Sequence, residues 1–171
     1  MISKKMVQGL NKQLNNELYS AYLYLSMSSY ANFIGLKGAA NWFMVQYQEE
    51  MFHFMKFYNY INSQGEHVEL AALAAPPCEF GSVLAMYEQT LKHEQFITSS
   101  INELMELAVK EKDHATQIFL QWFVTEQIEE ESNDYDIIAK LKLAGDTGPG
   151  LLMVDNELAA RVFTPPAMLA P

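Results

Sequence analysis

The sequence predicts an all-α protein, a four-helix bundle with one long crossover connection and a short fifth helix at the C-terminal end. Gly and Pro number only 8 and 6 in 171 residues and lie mostly in three places, so long segments run without a helix-breaking residue. Along four of these segments, apolar residues recur at alternating spacings of three and four, as on a helix buried along one face. Hydrophobic residues make up 50% of the chain, which suits a single domain spanning residues 1–171 with a sizeable core.

The first two helices are predicted to form an antiparallel hairpin. In each helix the core-facing positions, which we call the seam, follow one another at spacings of four and three. The first helix covers about residues 3–33 and the second about 36–64. Gly35 lies between them and can take the left-handed conformation in which helices commonly end. Because so short a turn leaves no room for a crossover, we expect the two helices to be neighbours.

A long connection is predicted between the second and third helices. Segment 65–81 has a Gly at each end and the pair Pro76-Pro77 inside. At ~3.3 Å per extended residue it could reach ~55 Å, whereas the second helix is only ~42 Å long. The connection can therefore run the length of the bundle and start the third helix parallel to the second. One such crossover distinguishes this arrangement from a simple up-down bundle.

The third and fourth helices have candidate N-caps at Ser82 and Asp113 and complete a bundle over about residues 3–144. After a Gly-rich break, a short amphipathic helix is predicted at about 150–162. Because it is too short to be stable alone, it must pack on the bundle or on another subunit. The Pro-containing tail, residues 163–171, is expected to be loosely ordered.

The composition excludes several kinds of function. A formal net charge of -10 opposes binding to nucleic acid or to an anionic membrane, and it suits cationic partners such as metal ions. Cys78 is the single cysteine, which excludes an intrachain disulfide framework and a multi-cysteine zinc or iron–sulfur site. The N-terminus shows no signal-peptide pattern, and no apolar run reaches the ~18 residues of a membrane span. We therefore expect a cytoplasmic protein.

Polar side chains interrupt the seam of every bundle helix near its middle. In chain order they are Glu17, Glu50 with His53, Glu94, and Gln127 with Glu130. A single Glu on a helix is usually a solvated surface residue. Four carboxylates directed into one core, however, would repel one another and lose their hydration, and the lysines lie off the seams. Bound cations resolve this conflict, and four Glu with one His suit a pair of iron or manganese ions better than zinc.

A second acidic layer lies beside the first. Glu49 adjoins Glu50, and Glu126 and Glu129 flank Gln127 and Glu130. A solvated acidic face explains these three residues as well as a third metal position does, so the residues alone leave both interpretations open.

The chain resembles the bacterial and archaeal non-haem ferritins over nearly its whole length. The matching segments are Asn16 to Tyr22, Gln48 to Glu50 with His53, Glu94, Gln127 to Glu131, and the closing Phe163 to Pro166. The resemblance implies the ferritin-like form of the four-helix bundle. It also implies that Glu17, Glu50 and His53 bind one ferroxidase iron, with Glu50 bridging to a second. Glu94 and Glu130 would complete that second iron site, and Gln127 would approach it.

The resemblance extends to a third iron site and to a tyrosine. Glu49, Glu126, Glu129 and Glu130 resemble the third site, and Tyr24 resembles the tyrosine beside the centre that can donate a hydrogen bond or an electron. Haem is not expected, because the haem-containing bacterioferritins carry a second Glu-x-x-His where this chain has Gln127 and Glu130.

Two further observations bear on ligation. Met51 falls where bacterioferritins carry their haem-ligating methionine, and we interpret it as packing material. Surface or capping roles are expected for His67, His93 and His114.

The function implied is iron storage and detoxification. A ferroxidase would oxidise Fe(II) with dioxygen or hydrogen peroxide and deposit ferric oxide inside a protein shell, a homo-oligomer of 24 subunits without a nucleic-acid or membrane partner. One alternative is a ferritin-like di-iron peroxidase or oxygenase without storage. Another is a metal-free helical scaffold, which leaves the seam glutamates unexplained.

Overall fold

The predicted bundle and its fifth helix are confirmed by a computed structural model, which describes residues 2–165. The helices are α1 (Lys4–Phe33), α2 (Lys37–Ser63), α3 (Val83–Glu111), α4 (His114–Ala144) and α5 (Pro149–Leu158). The part of the tail prediction that concerns residues 166–171 lies outside the described residues. None of the helices in the described range is both long and apolar enough to cross a membrane.

The helix ends follow the local signals. The Ser82 hydroxyl accepts a hydrogen bond from the backbone N–H of Ala85 at 3.2 Å, and the Asp113 carboxylate accepts one from that of Thr116 at 3.1 Å. Each therefore satisfies a backbone donor that the first turn of its helix leaves free. Gly35 has a φ of 88°, as expected for a left-handed residue at the end of α1.

The connection between α2 and α3 runs along α1. The side-chain amide of Asn11 donates to the carbonyl of His67, and that of Asn15 donates to the carbonyl of Glu69. Much further along α1, the Tyr30 hydroxyl donates to the carbonyl of Gly81 at 2.9 Å. Because these contacts follow α1 almost from end to end, α3 starts beside the end of α1 and runs parallel to α2.

Two apolar clusters fill the two ends of the bundle. One contains Phe43 and Tyr87, and the other contains Phe57 and Phe123. The middle of all four seams, between the two clusters, is polar. Its buried members are Glu17, Gln46, Glu50, His53, Thr90, Glu94, Gln127, Glu130 and Asp134. The fold therefore encloses a polar layer between two apolar ends.

Helix α5 packs on α2 and α4. Gly38 makes the contact with α2 possible, because a Cβ atom at this position would overlap the carbonyl oxygen of Asp155. The Asp155 carboxylate accepts a hydrogen bond from the backbone N–H of Ala39 at 2.8 Å. The prediction that α5 extends to about residue 162 is wrong, since it ends at Leu158. Asn41 donates to the carbonyl of Arg161 at 2.9 Å, and this contact holds the chain after α5 against α2.

Candidate metal centre

The first candidate ligand group joins α1 and α2. Glu17 comes from α1, and Glu50 and His53 come from successive seam positions of α2. One ligand atom of each lies within 4.8 Å of the other two. All three side chains are buried, with at most 2% of their surface exposed. The His53 Nδ1 atom lies 3.3 Å from Glu50 Oε2, so the imidazole and the carboxylate can face one ion. A carboxylate–carboxylate–imidazole set of this kind suits iron or manganese.

The second candidate group shares His53. Its other members are Glu126 and Glu130 of α4, and the three ligand atoms again lie within 4.8 Å of one another. Glu130 is buried and Glu126 is half-buried. Because Glu126 and Glu130 stand one helical turn apart, both carboxylates face α2.

The remaining members expected at the third site flank this group, since the charges of Glu130, His53 and Glu126 act on Glu49 and that of Glu129 acts on Glu126. Glu129 is exposed. The Glu49 carboxylate, from α2, forms an ion pair with the guanidinium group of Arg161. The structure thus brings Glu126 and Glu130 together with His53, while Glu49 is engaged with a cation of the chain itself.

Glu94 is held by hydrogen bonds from two helices. The Tyr24 hydroxyl donates to Glu94 Oε1, and the Gln127 amide donates to Glu94 Oε2 at 3.0 Å. Gln127 also donates to the backbone carbonyl of Glu94 at 3.3 Å. Tyr24 and Gln127 therefore fix the orientation of this carboxylate.

Two glutamines orient other carboxylates of the layer. Gln13 donates to Glu17 Oε1 at 2.8 Å, and Gln46 donates to Glu130 Oε2 at 2.9 Å. The second oxygen of Glu17 is buried and has no hydrogen-bond partner within residues 2–165. An unpartnered buried carboxylate oxygen is costly, and it is an available ligand atom.

The electrostatics of the layer favour the uncharged acids. Burial, followed by the charge of Glu50, raises the pKa of Glu17 from 4.5 to about 8. Burial and then Glu130 raise the pKa of Glu94 from 4.5 to about 8 as well. Burial likewise raises the pKa of Glu50 well above its usual range. A cation entering this layer must displace protons, and its charge would offset both the lost hydration and the mutual repulsion.

Aromatic side chains surround the ligand groups. The His53 ring packs edge-on against Trp122 at a centroid separation of 5.3 Å, which restricts its orientation. The Tyr24 ring packs against Phe43 and His93.

His93 corrects one expectation, because the predicted surface or capping role is wrong for this residue. Its Nε2 atom lies 2.8 Å from the Ser20 hydroxyl, and burial lowers the pKa of the imidazole to about 4. The His93 ring also packs against Tyr19 and Tyr24 of α1, so this half-buried residue lies between α1 and α3.

Several polar residues in or beside the layer were not among the predicted site residues. Gln46 and Asp134 occupy seam positions, and that periodicity was the signal that could have included them. Gln13 lies one turn before Glu17 and was detectable only by that spacing. Arg161 is the chain's single arginine, and it follows a break in the helical pattern, so nothing local indicates its contact with Glu49.

A bundle with one long crossover and carboxylates from all four helices at its centre defines the ferritin-like class. Residues 7–144 match the family described as "Ferritin-like domain", and the chain belongs to this family. It is 41% identical over 163 residues to the bacterial non-heme ferritin of Staphylococcus aureus (strain USA300), covering 95% of this chain and 98% of that protein. An Archaeoglobus fulgidus ferritin engineered into a closed form is 51% identical, with a TM-score of 0.93 over 96% of this chain and 100% of its own. An open-pore ferritin from the same archaeon is also 51% identical, with a TM-score of 0.93 over 95% of this chain and 100% of its own.

Proposed function

We propose that this protein is the subunit of an iron-storage ferroxidase. Fe(II) ions bind in pairs in the polar layer, pass electrons to dioxygen or hydrogen peroxide, and move as Fe(III) to the interior of a shell of 24 subunits. The observation that carries the proposal is the layer itself, in which four helices bury glutamates at one level with a histidine among them. Membership of the ferritin-like family and the likeness to proteins named non-heme ferritin support the same function.

The roles proposed for the ligand residues combine the first ligand group with the pattern that the resemblance to non-haem ferritins implies. Glu17, Glu50 and His53 would hold the first iron, and Glu50, Glu94 and Glu130 would hold the second. The iron supplies the redox chemistry, and the protein holds the two ions at a separation that lets them share one oxidant.

The amide and phenol donors around the ligands act by orientation. Gln127 and Tyr24 both donate to Glu94, so this carboxylate is fixed before iron arrives. Partners of this outer shell commonly change metal affinity by ~10–100-fold when they are removed. Tyr24 is also the group best placed to supply an electron, because its hydroxyl directly contacts a ligand carboxylate.

A third iron position is proposed beside the pair. Glu126, Glu130 and His53 form its core, and Glu49 and Glu129 lie on the same side of the bundle. Their half-buried and exposed positions suit a transit position between the pair and the surface of the bundle.

Iron loading tests the function. Fe(II) is added in air to the metal-free protein, and particle mass and iron content are measured together. A storage protein forms particles far heavier than one chain, each holding many more irons than its site residues can ligate. If loading stops at two or three irons per chain and no mineral forms, storage is wrong and a di-iron enzyme is favoured.

The site assignment has a separate test. The double substitution of Glu50 and His53 by Ala should slow Fe(II) oxidation by more than the ~10–100-fold that loss of an outer-shell partner costs. Glu103→Ala is the matched control, because it removes an exposed carboxylate of α3 and should leave the rate unchanged. An unaltered rate in the double variant would exclude these residues as ligands.

One observation keeps an oxygenase as the second candidate. A groove of about 430 Å³ between α3 and α4 reaches Gln127 and Thr98, close to Glu94. An organic substrate could enter there. The loading experiment separates the two functions, because an oxygenase would consume dioxygen with substrate and store no iron.

A further inference from the structure

The segment after α5 carries a cation to the edge of the polar layer. Arg161 is the chain's single arginine, and its guanidinium group forms an ion pair with Glu49. About a fifth of each side chain is exposed, 21% for Arg161 and 22% for Glu49, so the pair is largely shielded from water. Most surface ion pairs are exposed and weak, whereas a shielded arginine–carboxylate pair has a defined geometry.

Arg161 makes two further contacts that fix the guanidinium group. Its Nη1 atom donates to Gln46 Oε1 at 2.7 Å, and its Cζ atom lies 4.3 Å from the centre of a Trp42 ring. Gln46 in turn donates to Glu130 Oε2 at 2.9 Å. Through this one glutamine, the guanidinium group is linked to a carboxylate of the layer. Stacking, a carboxylate and an amide together make a site built for arginine.

The backbone that carries Arg161 is anchored to α2. Asn41 donates to the carbonyl oxygens of Ala159 and Arg161 at 3.3 and 2.9 Å. Gly38 permits the close packing of α5, and Asp155 accepts a hydrogen bond from the Ala39 backbone. These contacts place Arg161 in a fixed register relative to Glu49.

We propose that Arg161 is a tethered competitor for the third iron position. Its guanidinium group pairs with the Glu49 carboxylate when the third position is empty, and an iron ion ligated by Glu49 displaces the guanidinium group. The inference deepens the proposed function and rests on it. Two positive charges cannot share one carboxylate edge without repulsion, so the arginine and the ion exclude each other. The competition would weaken iron at the third position relative to the pair, which favours onward movement of the ion.

Anaerobic Fe(II) binding to the metal-free protein tests the proposal. Equilibrium dialysis gives the number of ions per chain and their dissociation constants, without oxidation. In Arg161→Gln, the affinity of the third position should rise about tenfold, because a charged hydrogen-bonded pair no longer has to be broken. Binding of the ion held by Glu17, Glu50 and His53 should be unchanged, because none of these three side chains is hydrogen-bonded to Arg161 or Gln46. A third-position affinity that is unaltered or lower in this variant would overturn the proposal.

Two variants serve as controls. Lys140→Gln breaks the ion pair between Lys140 on α4 and Glu157 on α5 but leaves Arg161 in place, so it should bind ions as the wild type does. Arg161→Lys keeps the charge but not the stacked, forked contact, and it should give an intermediate affinity. If Lys140→Gln matches Arg161→Gln, a general loosening of α5 explains the effect and the proposal fails.

A second measurement needs no variant. In wild-type crystals soaked anaerobically with Fe(II), anomalous scattering at the iron edge locates the ions. Wherever the third position is filled, the guanidinium group should have left Glu49. An iron ligated by Glu49 with Arg161 still paired to it would refute the competition. If wild-type protein binds fewer than two ions per chain, the proposed function fails instead, and the two failures are thereby distinguished.

Discussion

Replacing Asp134 by Asn should stabilise the metal-free protein, and the gain should grow as the pH rises. Asp134 lies on α4, one turn after Glu130, with 1% of its surface exposed. Neither carboxylate oxygen has a hydrogen-bond partner within the described part of the chain. Burial, followed by the charge of Glu94, raises its pKa from 3.8 to about 9. Asn has the same shape and cannot ionise, so the substitution isolates the free-energy cost of keeping Asp134 protonated in the folded state.

The magnitude follows from proton linkage. The unfolded chain releases the Asp134 proton near pH 3.8, while the folded chain keeps it until about pH 9. Between these values the folded state binds more protons, so the stability of the wild type falls as the pH rises. At pH 7 this proton uptake lowers the free energy of unfolding of the wild type by at most about 4 kcal/mol, because each pH unit above the unfolded pKa costs ~1.4 kcal/mol. The variant lacks this slope.

Guanidinium unfolding of metal-free protein at a fixed concentration measures the effect. Between pH 5.5 and 7.5, the stability difference between Asp134→Asn and the wild type should widen by about 2.7 kcal/mol per chain. Asp136→Asn is the matched control, because Asp136 is exposed on the same helix and should show no such widening. An equal difference at both pH values would refute the reasoning, since it would mean that Asp134 ionises alike in both states.

Two further predictions concern proton release and packing. In Glu17→Gln, anaerobic Fe(II) binding at pH 7 should release about one proton fewer per chain than in the wild type, measured in a pH-stat. The reason is that the Glu17 carboxyl, with a pKa of about 8, is mostly protonated before iron binds. Equal proton release by the two proteins would show that Glu17 is already ionised. Gly38→Ala should lower the free energy of unfolding by about 1–3 kcal/mol, as overpacking does, and expose the segment after α5 to proteolysis, because the new methyl group overlaps the Asp155 carbonyl. Unchanged protease resistance in that variant would contradict the close packing of α5.

The seams could be predicted because the buried positions of a helix recur every three or four residues along the sequence. Spacings of three and four placed Glu17, Glu50, His53, Glu94 and Glu130 on core-facing positions, and the structure buries all five. Their common depth along the bundle could also be predicted, because each residue interrupts its apolar seam near the middle of a helix of similar length. Helix geometry is thus enough to derive a polar layer without knowing the crossing angles.

Contacts between distant segments could not be predicted in the same way. The pairing of Glu49 with Arg161 joins residues 112 positions apart, across a Gly-rich break that resets the helical register. Periodicity assigned Arg161 to a longer fifth helix, whereas Asn41 binds the carbonyl groups just beyond Leu158 and the helix ends there. His93 was misplaced for a related reason, since its half-buried position depends on contacts with Ser20, Tyr19 and Tyr24 of another helix.

The two apolar ends and the polar middle depend on each other. Phe43, Phe57 and Phe123 and their neighbours bury apolar area at ~25 cal/mol per Å², and this stabilises a bundle whose centre holds acids that would prefer water. The layer tolerates this burial without metal by keeping protons, as the raised pKa values of Glu17 and Glu94 indicate. A cation that binds only the folded state stabilises it by about 2.7 kcal/mol when the free cation concentration is one hundred times the dissociation constant. Arg161 likewise places a positive charge beside Glu49, at an edge of the layer that water still reaches. At the centre of the layer metal ions therefore compete with protons for the buried carboxylates, and the competition proposed for Arg161 adds a third cation at the edge of the layer.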